Sequence, residues 1–245
     1  MGTCLLCKSS EHPIRVSHVI PNAAFKRAKD NGKMMKVDVS ANLNYLVQDS
    51  WSTKMLCAEC EHLFNTRYEE ATLNELRKAR KKSAETGLLK LKTKNPQRLA
   101  AFMISLVWRA ALSPHSAYKK VQLPTSAIEG YGECLLHGNR PDLLWSLSYR
   151  ITAMYDSRGI FDVDAVSRII ATPCLSRLSD LTFSFVFMFE GFKFEVITSS
   201  DNHKFDQAGV IKPTKLSYKL SRQCLWTDIN FGKTYRDMYA LVQSN

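Results

Sequence analysis

Leu56-Cys57-Ala58-Glu59-Cys60-Glu61-His62-Leu63-Phe64-Asn65-Thr66-Arg67-Tyr68-Glu69 carries most of what this sequence says about its fold. It opens on a Cys-x-x-Cys pair, and a second pair, Cys4-Leu5-Leu6-Cys7, stands near the start of the chain. Two such pairs supply four thiolates, the set that closes a tetrahedral zinc site. The spacing therefore predicts structural Zn²⁺ on Cys4, Cys7, Cys57 and Cys60, with metal binding feeding directly into folding. A pair of redox Cys-x-x-Cys centres is the competing reading. No βαβ pattern surrounds either motif, and zinc would quench both.

The long segment between the pairs has room for further structure. Within it, Ser17-His18-Val19-Ile20-Pro21 reads as a strand that carries a histidine and stops at a proline. If a helix begins at the second cysteine pair, Glu61, Asn65 and Glu69 fall one turn apart on a single face. A histidine on a strand, opposed by oxygen ligands on a helix, can activate water beside a divalent cation. That is phosphodiester hydrolysis, with His18 as general base. The plainer reading makes His18 a buried structural histidine and the helix face merely solvated.

The order Cys-x-x-Cys, Ser-His-Val-Ile-Pro, Leu-Cys-x-x-Cys-Glu resembles the HNH endonucleases, the zinc-supported ββα-metal nucleases. The wording is similar to an HNH-like bacterial subgroup with Ser-His-Ile-Pro and Cys-Glu-x-x-Phe-Ser/Asn-x-Tyr-Glu. Trp108-Arg109-Ala110-Ala111-Leu112-Ser113 and the Phe183–Val196 stretch match two further features of it. The resemblance implies that His18 is the base and that Glu61 and Asn65, with Glu69, hold a catalytic Mg²⁺ or Mn²⁺. It also implies DNA rather than RNA as the nucleic acid cut, and a role as effector of a bacterial anti-phage defence system. The chain departs from the family at two places. Ser17 replaces the usual metal ligand before the histidine, and no asparagine occurs in Ser52-Thr53-Lys54-Met55-Leu56, leaving only Asn42 and Asn44 further back. The alternative is a catalytically inactive, zinc-dependent nucleic-acid-binding or adaptor subunit.

The chain has 245 residues and a formal net charge of +11, which attracts polyanions. Arg15, Lys26 and Arg27 flank His18, and Lys78, Lys81 and Lys82 belong to a basic run over 77–98. These six are the candidate phosphate contacts, sequence-independent in character. No apolar run approaches the length of a membrane span, and no basic n-region with an apolar h-region opens the chain. A cytoplasmic protein with reduced thiols is expected, in which Cys134, Cys174 and Cys224 are core residues.

Helical texture is expected from about Thr66, ending or breaking at Gly87, and again from Pro96 to Ser113 with Trp108 in the core. Residues 142–156 suggest a strand, Phe183–Phe189 and Phe192–Val196 an aromatic β-hairpin around Glu190-Gly191, and Leu216–Leu220 a further strand. The fold class expected is α+β: an N-terminal zinc-bound ββα-metal module (HNH or treble-clef-like, 1–75), central helices (76–125) and a C-terminal antiparallel β-rich unit (126–245). That last unit is the expected contact for a regulatory partner protein or a second copy.

Overall fold

The computed structural model describes residues 2–29, 34–38, 43–86, 88–198 and 209–243. The fold is mixed α/β. Strand β1 (Ile14–His18) pairs antiparallel with β4 (Ser52–Cys57), Ile14 facing Cys57 and His18 facing Ser52. The register slips between Arg15 and Val16, and a bulge of this kind re-aims the side chains beyond it. Ser17 is then fully buried while His18 is only half-buried. The segment between the two strands forms α1 (Asn22–Ala28), β2 (Met34–Asp38) and β3 (Leu43–Val47).

Cys57 is extended and caps α2 (Ala58–Phe64), with Glu59 and Glu61 in the first turn, where carboxylates suit the helix dipole. The helix continues through a π-turn (Asn65–Glu69) into α3 (Glu70–Thr86). Helical structure thus begins at the cysteine pair itself, ahead of the Thr66 expected from the charge pattern. Gly87 lies outside the described residues. Strand β5 (Lys90–Lys92) buries Leu91 between two exposed lysines. Pro96 then opens α4 (Pro96–Leu112), capped by Asn95, whose side chain accepts from Arg98 N, a contribution of about 1 kcal/mol. Trp108 is buried in the core, and its Nε1 donates to the Ile128 carbonyl at 2.8 Å.

Beyond α4 come α5 (Thr125–His137), α6 (Pro141–Leu144) and β6 (Ser148–Tyr155). The strand expected from residue 142 starts only at Ser148, because Pro141 takes a first helical position and sets a helical turn. Helix α7 (Val163–Arg168), β7 (Ile170–Arg177), β8 (Phe183–Phe189) and β9 (Phe192–Thr198) follow. The remaining elements are β10 (Val210–Ile211), β11 (Ser217–Lys219), β12 (Ser221–Cys224) and α8 (Gly232–Gln243).

An eight-stranded sheet runs β10-β6-β9-β8-β7-β2-β3, with β12 beside β6. The β2–β7 and β12–β6 pairs are parallel, so the sheet expected to be antiparallel is mixed. It also takes β2 and β3 from between the cysteine pairs. Strand β11 pairs with β5 in a separate two-stranded sheet. Helix α4 packs on the large sheet through Phe102, which meets the stacked rings of Phe189 and Phe194 edge-on. No helix among the described residues is long and apolar enough to cross a membrane.

The β8–β9 turn shows how α1 and α3 lock to this sheet. Glu190 and Gly191 have φ of 52° and 72°, the two-residue turn that suits a hairpin's twist but strains a glutamate. Its carboxylate is buried against Arg27 and Arg77, and its carbonyl accepts from Arg80. A Cβ on residue 191 would displace the Arg80 guanidinium from its bonds to the Glu190 and Met154 carbonyls, and the positive φ there favours glycine as well. Glu190→Gln should cost about 2 kcal/mol, reduced from the value for a fully buried pair because both arginines are about a third exposed. Chemical denaturation of the variant beside the wild type measures it.

Candidate metal centre and facing cleft

The Sγ atoms of Cys4, Cys7, Cys57 and Cys60 all lie within 4.8 Å of one another, and none is in a disulfide. Cys7 Sγ is 3.8 Å from Cys57 Sγ. A tetrahedron with metal–sulfur bonds of about 2.3 Å has edges of about 3.8 Å, so this separation fits one ion. The Cys57 N–H donates to Cys4 Sγ at 3.3 Å. Burial works against ionising Cys4, but the N–H groups of Cys57, Cys7 and Leu6 outweigh it and bring its pKa down to about 7. Burial and the neighbouring thiols push Cys60 the other way, upward. Four crowded thiols cannot ionise together without a cation among them, and a bound metal ion would supply it.

Beside this cluster, β1, α2 and the π-turn enclose a cleft of about 450 Å³ whose lining includes His18, Lys26, Glu61, Asn65, Glu69 and Arg109. His18 Nε2 lies 3.2 Å from Ser50 Oγ, and its ring packs against Phe25. Burial, then the charges of Arg109, Lys29 and Lys26, lower its pKa to about 4, with Asp49 opposing. The imidazole is therefore neutral at neutral pH and able to accept a proton.

Burial raises the pKa of Glu61, opposed by the Ser17 hydroxyl and the Arg109 charge. Its Oε1 is buried and receives no hydrogen bond. Arg109 Nη1 stands 2.6 Å from both the His18 carbonyl and Glu69 Oε1. One Nη1 N–H is directed at the carbonyl, and Glu69 Oε1 is ion-paired with the guanidinium without a well-aligned hydrogen bond. Buried carboxylate oxygens without donors are costly. Glu61 Oε1, with the exposed Asn65 and the Arg109-paired Glu69 on the same cleft, offers oxygen donors of the kind a divalent cation takes. Among the described residues, the four thiols are the group of histidine, cysteine or carboxylate side chains close enough together to hold a metal ion, and His18, Glu61 and Glu69 do not come that close to one another.

Ser17 has two tasks. Its hydroxyl accepts from Leu56 N at 3.2 Å and ties β1 to β4, and it also reaches Glu61 and opposes the upward shift there. The π-turn shifts the helical phase between Asn65 and Glu69, leaving the first exposed and the second buried.

Ser50 and Arg109 were not among the residues singled out as site groups. Ser50 sits in a polar loop with no motif around it, and it meets the imidazole where an asparagine was sought. Asn42 and the side chain of Asn44 lie outside the described residues. Arg109, quoted only as part of a motif, is 1% exposed and lies 4.8 Å from the Phe64 ring centroid. An arginine in an apolar helix was a signal that pointed to a buried partner. Arg109→Met should destabilise by about 3–5 kcal/mol, because Glu69 would stay buried without its counter-charge. Urea unfolding of the two proteins tests this.

Of the six basic candidates, only Lys26 lines the cleft. Arg15, Lys78, Lys81 and Lys82 are exposed elsewhere, and Arg27 is ion-paired to Glu190 and Asp164. The 77–98 run divides by residue type. Arg77 and Arg80 turn inward to Glu190, where forked donors serve, and the lysines turn outward. Cys134, Cys174 and Cys224 are buried, as expected of core residues.

No family model matches the chain, and no curated protein or solved structure matches it.

Proposed function

We propose that the chain is a metal-dependent endonuclease of the HNH type, hydrolysing phosphodiester bonds in nucleic acid, with DNA favoured, and that the four cysteines hold structural Zn²⁺. One observation carries this reading: His18 and the carboxylates of Glu61 and Glu69 line the same cleft, and the buried Oε1 of Glu61 receives no hydrogen bond. The surrounding frame supports it, since an antiparallel strand pair and a following helix hang from the thiol cluster. His18 takes the proton from the attacking water, and Ser50 fixes the ring's orientation. Glu61 and Glu69, with Asn65, hold Mg²⁺ or Mn²⁺, which when bound supplies positive charge to the phosphate and the leaving oxygen. Lys26 on the cleft rim, and Lys78, Lys81 and Lys82 along α3, contribute affinity for phosphate without reading bases. Ser17 ties β1 to β4 and hydrogen-bonds Glu61, so on this reading it steadies a ligand and the helix supplies the ligand set.

A non-catalytic nucleic-acid-binding module is favoured by one observation, the ion pair that already partners Glu69 with Arg109. A plasmid-cleavage assay separates the two. Nicking or linearisation with Mg²⁺ or Mn²⁺ that EDTA abolishes is the expected result. Salt-sensitive binding with no cleavage under any divalent metal would leave only the binding module.

A further inference from the structure

A second cleft, of about 260 Å³, is lined by Arg67, Arg98, Arg140 and His137, and no carboxylate lines it. The guanidiniums come from three elements: Arg67 from the π-turn, Arg98 from the first turn of α4, and Arg140 from the N-cap of α6. Each is held from outside the cleft. Arg67 Nη1 donates to the Leu136 carbonyl at 3.0 Å, and Arg98 Nη2 pairs with Glu75. Arg140 donates Nε and Nη2 to Asp142 at 3.2 and 3.0 Å. These contacts fix the guanidinium planes without using all their donors. Arg98 Nε in particular is buried and has no hydrogen-bond partner.

Guanidiniums from three elements gathered round a cavity that no carboxylate lines describe a site built for an anion. Rigid N–H forks from several directions match the oxygens of a tetrahedral oxyanion better than a lone carboxylate. The positive end of α4, a helix of 17 residues, opens on the same cleft through Asn95, Gln97 and Arg98. We infer that this cleft binds a phosphate group, carried either by a nucleic-acid backbone or by a free nucleotide. The inference stands apart from the nuclease reading, because none of these residues lines the His18 cleft.

The test is titration of the full chain with inorganic phosphate, AMP and a short single-stranded oligonucleotide at matched ionic strength, for wild type and Arg67→Gln/Arg140→Gln. Both side chains are exposed, so the variant should keep its melting temperature. Each arginine should be worth about tenfold in affinity for whichever probe binds there. If AMP binding weakens and the oligonucleotide is unaffected, the ligand is a free nucleotide. If oligonucleotide affinity falls and its salt slope drops by about one per arginine, the ligand is a backbone phosphate. Wild-type protein that binds none of the three probes, or a variant that binds all of them unchanged, overturns the inference. Neither result depends on cleavage, so failure here and failure of the nuclease reading are separable.

Discussion

His18→Ala should abolish divalent-metal-dependent cleavage, by about 10²–10⁴-fold if the imidazole is the general base, while leaving melting temperature and metal content near those of the wild type. The ring itself gives the fold little. It is half-buried, makes a single side-chain hydrogen bond to Ser50 and packs at a tilt against Phe25. The anchoring contact at this position is the backbone carbonyl, held by Arg109, and alanine keeps that carbonyl. The ring's chemistry turns on its protonation state. With its pKa lowered to about 4, His18 is unprotonated across the neutral range. Base function should therefore persist as pH falls below the usual histidine range and be lost only as pH drops through about 4. Stability follows the same sign: an unfolded chain takes up a proton near the ordinary histidine pKa before the folded one does, so folding weakens as pH falls from there toward 4. Cleavage rates measured against pH, for wild type and variant, test both statements. Cleavage retained by His18→Ala would remove the assignment of the base.

The elements legible in the sequence were those with a strong local cause. Two cysteine pairs of identical spacing drew attention to four thiols that do lie together. Pro96 and Ser113 bracketed α4, and alternating phenylalanines around Glu190-Gly191 outlined β8 and β9. What stayed hidden had long-range causes. Strands β2 and β3 join the large sheet through a parallel pairing with β7, more than a hundred residues away, and nothing near Lys36 or Val37 announces it. The inward turn of Arg77 and Arg80 depends on a carboxylate at residue 190, so the 77–98 run looked uniformly basic. At the candidate site, His18, Glu61, Asn65 and Glu69 were picked out by spacing, and they share one cleft. The groups that hold them, Ser50 and Arg109, are contacts across 32 and 91 residues. Such contacts leave no periodicity to read.

Removing the metal from the cysteine centre should produce the largest change of all. Structural zinc in small peptides contributes about 10–16 kcal/mol, whereas whole domains are stable by only about 5–15 kcal/mol. The centre here ties residues 4–7 to residues 57–60, so it closes the loop that carries α1, β2 and β3. Zinc bound there would also hold Cys57, the cap of α2, and brace β4 against β1, the pair that presents His18. Since β2 and β3 are strands of the large sheet, loss of the centre would not stay confined to the N-terminal segment. Cys60→Ser should therefore be poorly folded, and a strong chelator should lower the melting temperature steeply and reversibly on zinc return. Cys134→Ser supplies the contrast, since that thiol lies outside the cluster and its loss costs only a small core perturbation. Metal analysis of purified protein should find about one zinc per chain. A chain that folds fully and melts at the same temperature without any metal would mean that the four thiols are only packed together. The frame that holds His18 opposite Glu61 and Glu69 would then owe its stability to the core alone.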